Sequence, residues 1–539
     1  MRPLSLSLVF ALSMLPANSL LGEEAPLRID PRGARCELVI NPSDDLIPDQ
    51  NRYFLRRARG KNTKIVAIKI GDANSLKVPA LEVDSVTELA VGGLEKLEET
   101  SPLDTLRDAT GIWISASTKT PLPQLAADSK LAALLESKLS SDCVISVSGS
   151  AAPWLIEQFS PPTRPSLVPH VQFAFVRSYK ELSDVEIPKR DAQKLLQFVF
   201  QPTTVLAISQ RSIVNLGGEP LAIFSSGFPG ENDRITMLQP GKQHDLVALA
   251  RAAQRRQRGE KLPAQLATPE VKHGSLVIVG GGGMPKEITE KFIELAGGPD
   301  GLIVVLPTAV PPQEVSPSEG NFFKRFGAKN VRVMPEYELE DVNSDKFAEV
   351  LREAKGVWFG GGRQWRFVDT YENTRAYELF HAVLERGGVI GGSSAGATIQ
   401  GEYLSRGSPL GNFEMMSEGY EEGFKFLPGT VIDQHFAERK RETDLLGVIK
   451  AFPQLTGIGL DEATAIAVTK REAEVLGKGA FHLLAAPKDR EVTLDDYQRF
   501  KAGDVVDLVE RKLVRTSRTE EPAAETSSGD AKKEPAAAN

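Results

Sequence analysis

"GGVIGGSSAGATIQGE", residues 387–402, runs from a short apolar stretch through crowded glycines and serines into a segment with helical character. Inside it, Gly392-Ser393-Ser394-Ala395-Gly396 is a G-x-S-x-G pattern, which sets a serine on a sharp strand-to-helix turn with its hydroxyl exposed. Working outward, "SLVIVGGGG" (275–283), "GLIVVLPTA" (301–309) and "GVWFGGG" (356–362) are further short apolar runs rich in β-branched residues. Helical patterns with glycines at their ends, "PKEITEKFIELAGG" (285–298) and "TRAYELFHAVLERGG" (374–388), separate them. Strands alternating with helices predict an α/β fold with a mostly parallel sheet covered by helices on both faces.

The same text occurs earlier in the chain. "LRDATGIWISAS" from Leu106 aligns with "LREAKGVWFGGG" from Leu351, and "CVISVSGSAAPWLIE" from Cys143 with "GVIGGSSAGATIQGE" from Gly388. One ungapped alignment carries Leu106–Glu157 onto Leu351–Glu402, which points to an internal duplication. "CELVIN" (36–41) and "TKIVAIKIG" (63–71) supply the earlier strands of the first copy. The expected organisation is therefore two tandem α/β copies at residues 28–240 and 273–486, joined by a polar linker at 241–272. A C-terminal extension (487–515) and a disordered tail (516–539) rich in Ala, Glu, Pro and Ser would follow.

Residues 1–22 have a basic start at Arg2, an apolar run from Leu4 to Leu15 and small residues Ala17 and Ser19 at cleavage spacing. They read as a signal peptide, so export to a periplasm or beyond the cell is expected. No later stretch is apolar and long enough to span a bilayer, so no stable membrane insertion is expected. A net charge of −8 offers no general attraction to phosphate backbones, and nucleic acid is not an expected partner. The basic cluster "RAAQRRQRGEK" from Arg251 reads as the solvated end of a linker helix. Cys36 and Cys143 are the only cysteines, and an oxidising compartment permits a disulfide as readily as two buried thiols.

A serine hydroxyl needs a positioned base, usually histidine, to become a nucleophile. Among six histidines, His435 in "GTVIDQHFAERKRE" follows an apolar strand and precedes a helical segment. "TGIGLDEATAIAV" then puts Asp461 and Glu462 at another strand end, and either carboxylate suits the orientation of an imidazole. The order serine, histidine, acid differs from that of α/β-hydrolases. Arg439 and Arg441, four and six residues past the histidine, have the chemistry to grip an acidic substrate. No cluster has metal-ligand spacing, and no metal or other cofactor is expected. "VGGGGMPKEI" (279–288) lacks both the third glycine of a dinucleotide site and a P-loop lysine, so it reads as a close-packed turn.

Together "VWFGGGRQ", "GGSSAGA", "DQHFAERKRE" and "GIGLDEATAIAV" resemble the cyanophycinase branch of peptidase family S51, which also contains aspartyl dipeptidase (peptidase E). The resemblance covers roughly residues 274–486 and implies a class I glutamine amidotransferase-like fold. It implies Ser394 as nucleophile, His435 as general base and Glu462 as its carboxylate partner, with an oxyanion hole from the amides of Gly361 or Gly362 and Ala395. It also implies that Gln364, Asp433 and Gln434 lie close to substrate, and that Arg439 and Arg441 face its carboxylates. The implied substrate is cyanophycin, a poly-aspartate with arginine on its side chains, released as β-Asp-Arg dipeptides.

Two positions depart from the family pattern. Asp444 stands where a third arginine is expected, and Arg363 where an acidic residue is commoner; both put the exact substrate in question. The active half has no cysteine, which excludes a cysteine-based amidotransferase.

The first copy has lost the chemistry. Gly149 replaces Ser394, "SAS" from Ser115 replaces the glycine loop, Gln210 aligns opposite Glu462, and nothing near residue 183 replaces His435. This half is expected to be catalytically dead and to serve as an internal pseudo-dimer partner; a homo-oligomer is compatible with the same resemblance. The alternatives are a hydrolase of another acidic peptide, of aspartyl dipeptidase type, and a non-catalytic peptide-binding scaffold.

Overall fold

The computed structural model describes residues 28–517 apart from 59–62, 73–84, 127, 160–167, 177–188 and 262–266. The expected signal peptide, the region near residue 183 and the tail beyond residue 517 lie outside the described residues.

Among the described residues the first half contains twelve strands: β1 Glu37–Asn41, β2 Lys64–Ile70, β3 Ser85–Val91, β4 Gly111–Ala116, β5 Val144–Gly149, β6 Val171–Phe175, β7 Leu196–Phe200, β8 Val205–Ser209, β9 Ser212–Gly217, β10 Leu221–Ser225, β11 Arg234–Leu238 and β12 Gln243–Asp245. The second contains β13 Val271–Val279, β14 Ile303–Leu306, β15 Val331–Val333, β16 Gly356–Phe359, β17 Val389–Ser393, β18 Gly401–Tyr403, β19 Leu427–Gln434, β20 Thr456–Leu460, β21 Thr464–Lys470, β22 Glu472–Gly477, β23 Ala480–Ala485, β24 Gln498–Lys501, β25 Asp504–Asp507 and β26 Lys512–Thr516.

These strands form two large and two small sheets flanked by helices, a mixed α/β architecture. One large sheet has the order β3-β2-β4-β5-β1-β8-β9-β12, and the other β15-β14-β16-β17-β13-β21-β22-β25-β26. In both, the first five strands are parallel and those that follow antiparallel. The small sheets, β6-β7-β10-β11 and β18-β19-β20-β23-β24, also share a plan of a parallel pair followed by antiparallel neighbours.

Strand sequence follows strand position. Ile303–Leu306 is fully buried because helices cover both faces of the sheet, and such a strand tolerates only apolar side chains. The flanking helix Asp345–Glu353 starts where the Ser344 hydroxyl accepts from the Phe347 amide at 3.2 Å. The next, Arg375–Glu385, starts in the same way at Thr374, which accepts from Tyr377 at 3.2 Å. An aromatic cluster of Phe359, Phe367, Tyr371, Phe380, Phe424 and Phe426 ties strand β16 to the helix Trp365–Tyr371 that follows it.

Several expectations change at this level. The linker helix runs from Leu246 to Gln257 as expected, but its arginines are not solvated. Arg251, Arg255 and Arg256 are buried because carboxylates of the second half, Glu372, Glu422 and Glu418, meet their charges. The segment expected as a C-terminal extension adds β24 to the small sheet and β25 and β26 to the large one. Strand β26 runs through Thr516, so the expected tail starts inside a strand. Gln210 is not opposite Glu462: it lies in the β8–β9 turn, whereas Glu462 follows β20, whose counterpart by sheet position is β7. The counterpart of β19 is β6, which ends at Phe175.

Candidate active site

The nucleophile candidate owes its position to backbone strain. Ser394 leaves β17 at φ 56° and ψ −112°, a region that L-residues avoid. The flanking glycines make that turn sterically possible: a Cβ at Gly392 would lie 2.4 Å from the Gly396 carbonyl, and one at Gly396 2.0 Å from the Phe359 carbonyl. In the first half Gly149 keeps the same left-handed turn, at φ 63°, without a side chain.

His435 comes from the end of β19, also at positive φ, and is 9% exposed. Its Nε2 lies 3.0 Å from Ser394 Oγ and its Nδ1 2.5 Å from Glu462 Oε1. A carboxylate only accepts, so the Nδ1 proton faces Glu462 and Nε2 is left free to accept from the serine hydroxyl. Burial lowers the imidazole pKa below its ordinary 6.5; Glu462 opposes this, while Arg439 and Arg441 push the same way as burial. The imidazole is therefore neutral at pH 7, the state a general base requires.

Asp461, the other carboxylate the sequence left open, has a different task. It accepts from the amides of Ala437 (3.1 Å) and Ala480 (2.9 Å) and lies 3.0 Å from His482 Nε2, which locks β20 to β23.

The glycine run after β13 is a part of the site that sequence reasoning passed over as a turn. The Val279 carbonyl accepts from the Ser394 amide, that of Gly280 from His435, and that of Gly281 from Ala463, at 3.0, 2.8 and 2.7 Å. A Cβ at Gly281 would fall 2.4 Å from His435 Cε1, and one at Gly282 2.2 Å from Glu462 Oε2. The backbone of this run is thus the wall against which the histidine and glutamate rest. Four consecutive glycines were the signal for it.

Gly361 approaches Ser394 from the other side, its direction of side-chain growth pointing at Ser394 Cβ from 3.6 Å. The amides of Gly361, Gly362 and Ala395 donate no hydrogen bond among the described residues, and the loop that carries the two glycines is exposed. Their N–H groups are available to a developing oxyanion.

The remaining candidates divide. Gln434 brings an amide oxygen within 3.5 Å of Ser394 Oγ, and Arg439 is exposed with no ion pair among the described residues. Gln364 is buried, its side-chain amide donating to the Ser405 carbonyl at 2.8 Å. Asp433 is fully buried between two guanidiniums, Arg441 at 2.8 Å and Arg406 at 3.1 Å. Arg441 also donates to the Gln434 carbonyl at 2.6 Å and is 4% exposed. Gln364, Asp433 and Arg441 therefore build the wall behind the site, since a buried charge persists only where an opposite charge meets it. Arg406, which the sequence did not single out, also pairs with Asp444 at 2.7 Å, so the carboxylate that departs from the family pattern is itself neutralised. Arg363 donates to the Ser408 carbonyl at 2.6 Å. Among the described residues no His, Cys, Asp and Glu cluster suits a metal ion. A cavity of about 580 Å³ lies elsewhere, between the helix Leu246–Gln257 and the second half, lined by Arg28, Arg255, Glu372 and Lys425.

The comparisons with known proteins fall on the half that carries Ser394, His435 and Glu462. Residues 276–476 match the model for peptidase family S51, and over this half the chain is similar to cyanophycinases. It is 29% identical over 214 residues to a cyanophycinase of Geminocystis herdmanii, covering 38% of this chain and 78% of that protein. It is 28% identical over 251 residues to a cyanophycinase of Thermosynechococcus vestitus, covering 45% and 76%. Among solved structures, a peptidase from an acI-B1 actinobacterium aligns at 23% identity and a TM-score of 0.34, over 44% of this chain and 98% of that one. A putative peptidase E from Listeria monocytogenes aligns at 16% identity and a TM-score of 0.30, over 38% and 100%.

Proposed function

We propose that the protein is an exported serine peptidase that hydrolyses aspartyl peptide bonds, with cyanophycin as substrate and β-Asp-Arg dipeptides as product. The observation that carries this reading is the unbroken relay from Ser394 Oγ through His435 to Glu462, at 3.0 and 2.5 Å. His435 Nε2 takes the hydroxyl proton as Oγ attacks the scissile carbonyl, and Glu462 steadies the imidazolium that forms. The amides of Gly361, Gly362 and Ala395 hold the oxyanion. The same imidazole returns its proton to the leaving amine, then activates water against the acyl-enzyme. Arg439 is the side chain that receives a substrate carboxylate.

The finer fold reading is two tandem copies of an amidotransferase-like sheet, the first degenerate and acting as internal partner of the second. The common strand order of the two large sheets supports it. A paired turn supports it further. Arg211 in the β8–β9 turn bonds Asp245 at the end of β12, as Arg471 in the β21–β22 turn bonds Asp507 at the end of β25. The backbone follows suit, with the Leu246 amide donating to the Arg211 carbonyl and that of Leu508 to Arg471.

The test is dipeptide release from cyanophycin by the purified protein, beside Ser394→Ala and with an α-aspartyl dipeptide as second substrate. Release of β-Asp-Arg that vanishes in the variant is expected. Cleavage of the small dipeptide alone would move the substrate to another acidic peptide, the reading that Asp444 and its Arg406 partner favour. No cleavage of either by folded protein would sink the peptidase reading.

A further inference from the structure

Arg211 belongs to the half without catalytic residues, yet its guanidinium reaches the helix Trp365–Tyr371 of the other half. Nη1 lies 2.7 Å from Asp369 Oδ2, and Nη2 donates to the Tyr420 hydroxyl at 2.7 Å. The Tyr420 hydroxyl in turn donates to Asp369 Oδ1 at 2.6 Å. The guanidinium also covers the Trp365 ring at 4.4 Å, a cation–π contact. Arg28, at the start of the described first half, binds the far end of the same helix through the carbonyls of Asp369 (2.5 Å) and Glu372 (2.8 Å). The helix thus leans on the other half at both ends.

What precedes that helix gives the contact its meaning. Trp365 is its first residue, and Gly361-Gly362-Arg363-Gln364 lead straight into it. The catalytic half anchors this loop through the Arg363 amide to the Ala309 carbonyl, the Arg363 guanidinium to that of Ser408 and the Gln364 side chain to that of Ser405. The helix that follows is packed by its own half through Phe367 on Phe359 and Tyr371 on Thr308, and Arg211 adds a hold from the other half at Trp365 and Asp369. Arg211 is itself fixed: Asp245 takes its Nε and Nη2 at 2.6 and 3.1 Å, and its carbonyl accepts from Leu246 at 2.7 Å. Its counterpart Arg471 has a 44% exposed side chain and, among the described residues, ion pairs only with Asp507 and Glu510. Of the two equivalent arginines, the one facing the catalytic half is engaged.

We propose that Arg211 is a positioning residue for the reaction, supplied by the degenerate half, which sets the Gly361 and Gly362 amides by clamping Trp365 and Asp369. The inference rests on the serine peptidase reading. It gives the half without chemistry a task in the reaction, through the contacts of Arg211 with Trp365 and Asp369.

The experiment uses the full chain. Arg211→Met removes the clamp; Arg211→Met with Asp369→Asn also removes the buried carboxylate the first change would leave unpaired, so that a folded variant is in hand. Arg211→Lys restores charge without the planar contact, and Arg471→Met is the control for loss of an equivalent Arg–Asp pair. Active sites are counted with a fluorophosphonate probe at Ser394, and kcat and KM are measured per labelled site. Removing a single oxyanion donor costs about 10²–10³ in kcat, and a shifted rather than deleted donor should cost roughly tenfold to a hundredfold. The expected result is that loss in kcat for both Met variants, KM within about threefold, partial recovery in Arg211→Lys and no loss in Arg471→Met. Wild-type kcat per labelled site in either Met variant, or an equal loss in Arg471→Met, would overturn the proposal. Failure of the wild-type chain to label at Ser394 would instead overturn the peptidase reading.

Discussion

Substituting alanine for Gly281 should disable the site without touching any reactive atom. The new Cβ would stand 2.4 Å from His435 Cε1 and 2.6 Å from Nε2. Carbon atoms rest about 3.5–4.0 Å apart, so the imidazole must retreat by about 1 Å or more. It cannot retreat towards Glu462, already 2.5 Å from Nδ1, and a shift away from Ser394 stretches the 3.0 Å contact past hydrogen-bond range. A misplacement of about 1 Å costs on the order of 10²-fold in rate. Gly281 also sits at φ 96°, where any side chain is strained, so stability should fall too. Gly283→Ala separates the two effects, since Gly283 is at φ 142° with nothing within 4 Å of a new Cβ. Dipeptide release and thermal unfolding, measured on both variants, should show Gly281→Ala losing about two orders of magnitude in kcat/KM. Gly283→Ala should lose stability and keep most of its activity. Equal activities in the two variants would refute the claim that the glycine run is the wall behind the histidine.

Because the base must be neutral and burial holds the His435 pKa below 6.5, kcat/KM should fall only as pH drops beneath that value. Glu462→Gln removes the contribution that raises the imidazole pKa, so its acid limb should move to lower pH while the rate falls by about 10²–10⁴; a limb shifted upward in a pH–rate profile would contradict the assignment. Asp433→Asn strips the buried partner from Arg406 and Arg441 and should cost about 3–5 kcal/mol in denaturant unfolding, whereas Asp444→Asn, at the half-exposed end of the same chain of charges, should cost under about 1 kcal/mol. Burial pushes the thiols of Cys36 and Cys143 up to about 12 and about 11, so both should resist a thiol reagent at pH 8 until the protein is unfolded.

Legibility followed the range of the interaction. The elbow at Ser394 was readable because its geometry is local: three glycine-or-serine positions decide whether the backbone can make the turn. The strands were readable because continuous apolar runs suit only a sheet covered on both faces. Gln364 and Asp433 were placed beside substrate by the family resemblance and Arg441 also by its nearness to His435 along the chain, while in three dimensions their polar groups meet Ser405, Arg406 and the Gln434 carbonyl. Arginines 251, 255 and 256 looked solvated because their carboxylate partners lie more than a hundred residues away.

The sequence by itself determined the alternation of strands and helices and the identities of a serine, a histidine and a carboxylate at three strand ends. Those features depend on periodicity and on residue chemistry, which a linear text preserves. Only the tertiary structure decided between Asp461 and Glu462, turned a glycine run into the backing of a histidine, and joined Arg211 to a helix of the other half. Each of these depends on which strand ends meet, and that is settled by how the sheets close and pack around their buried faces.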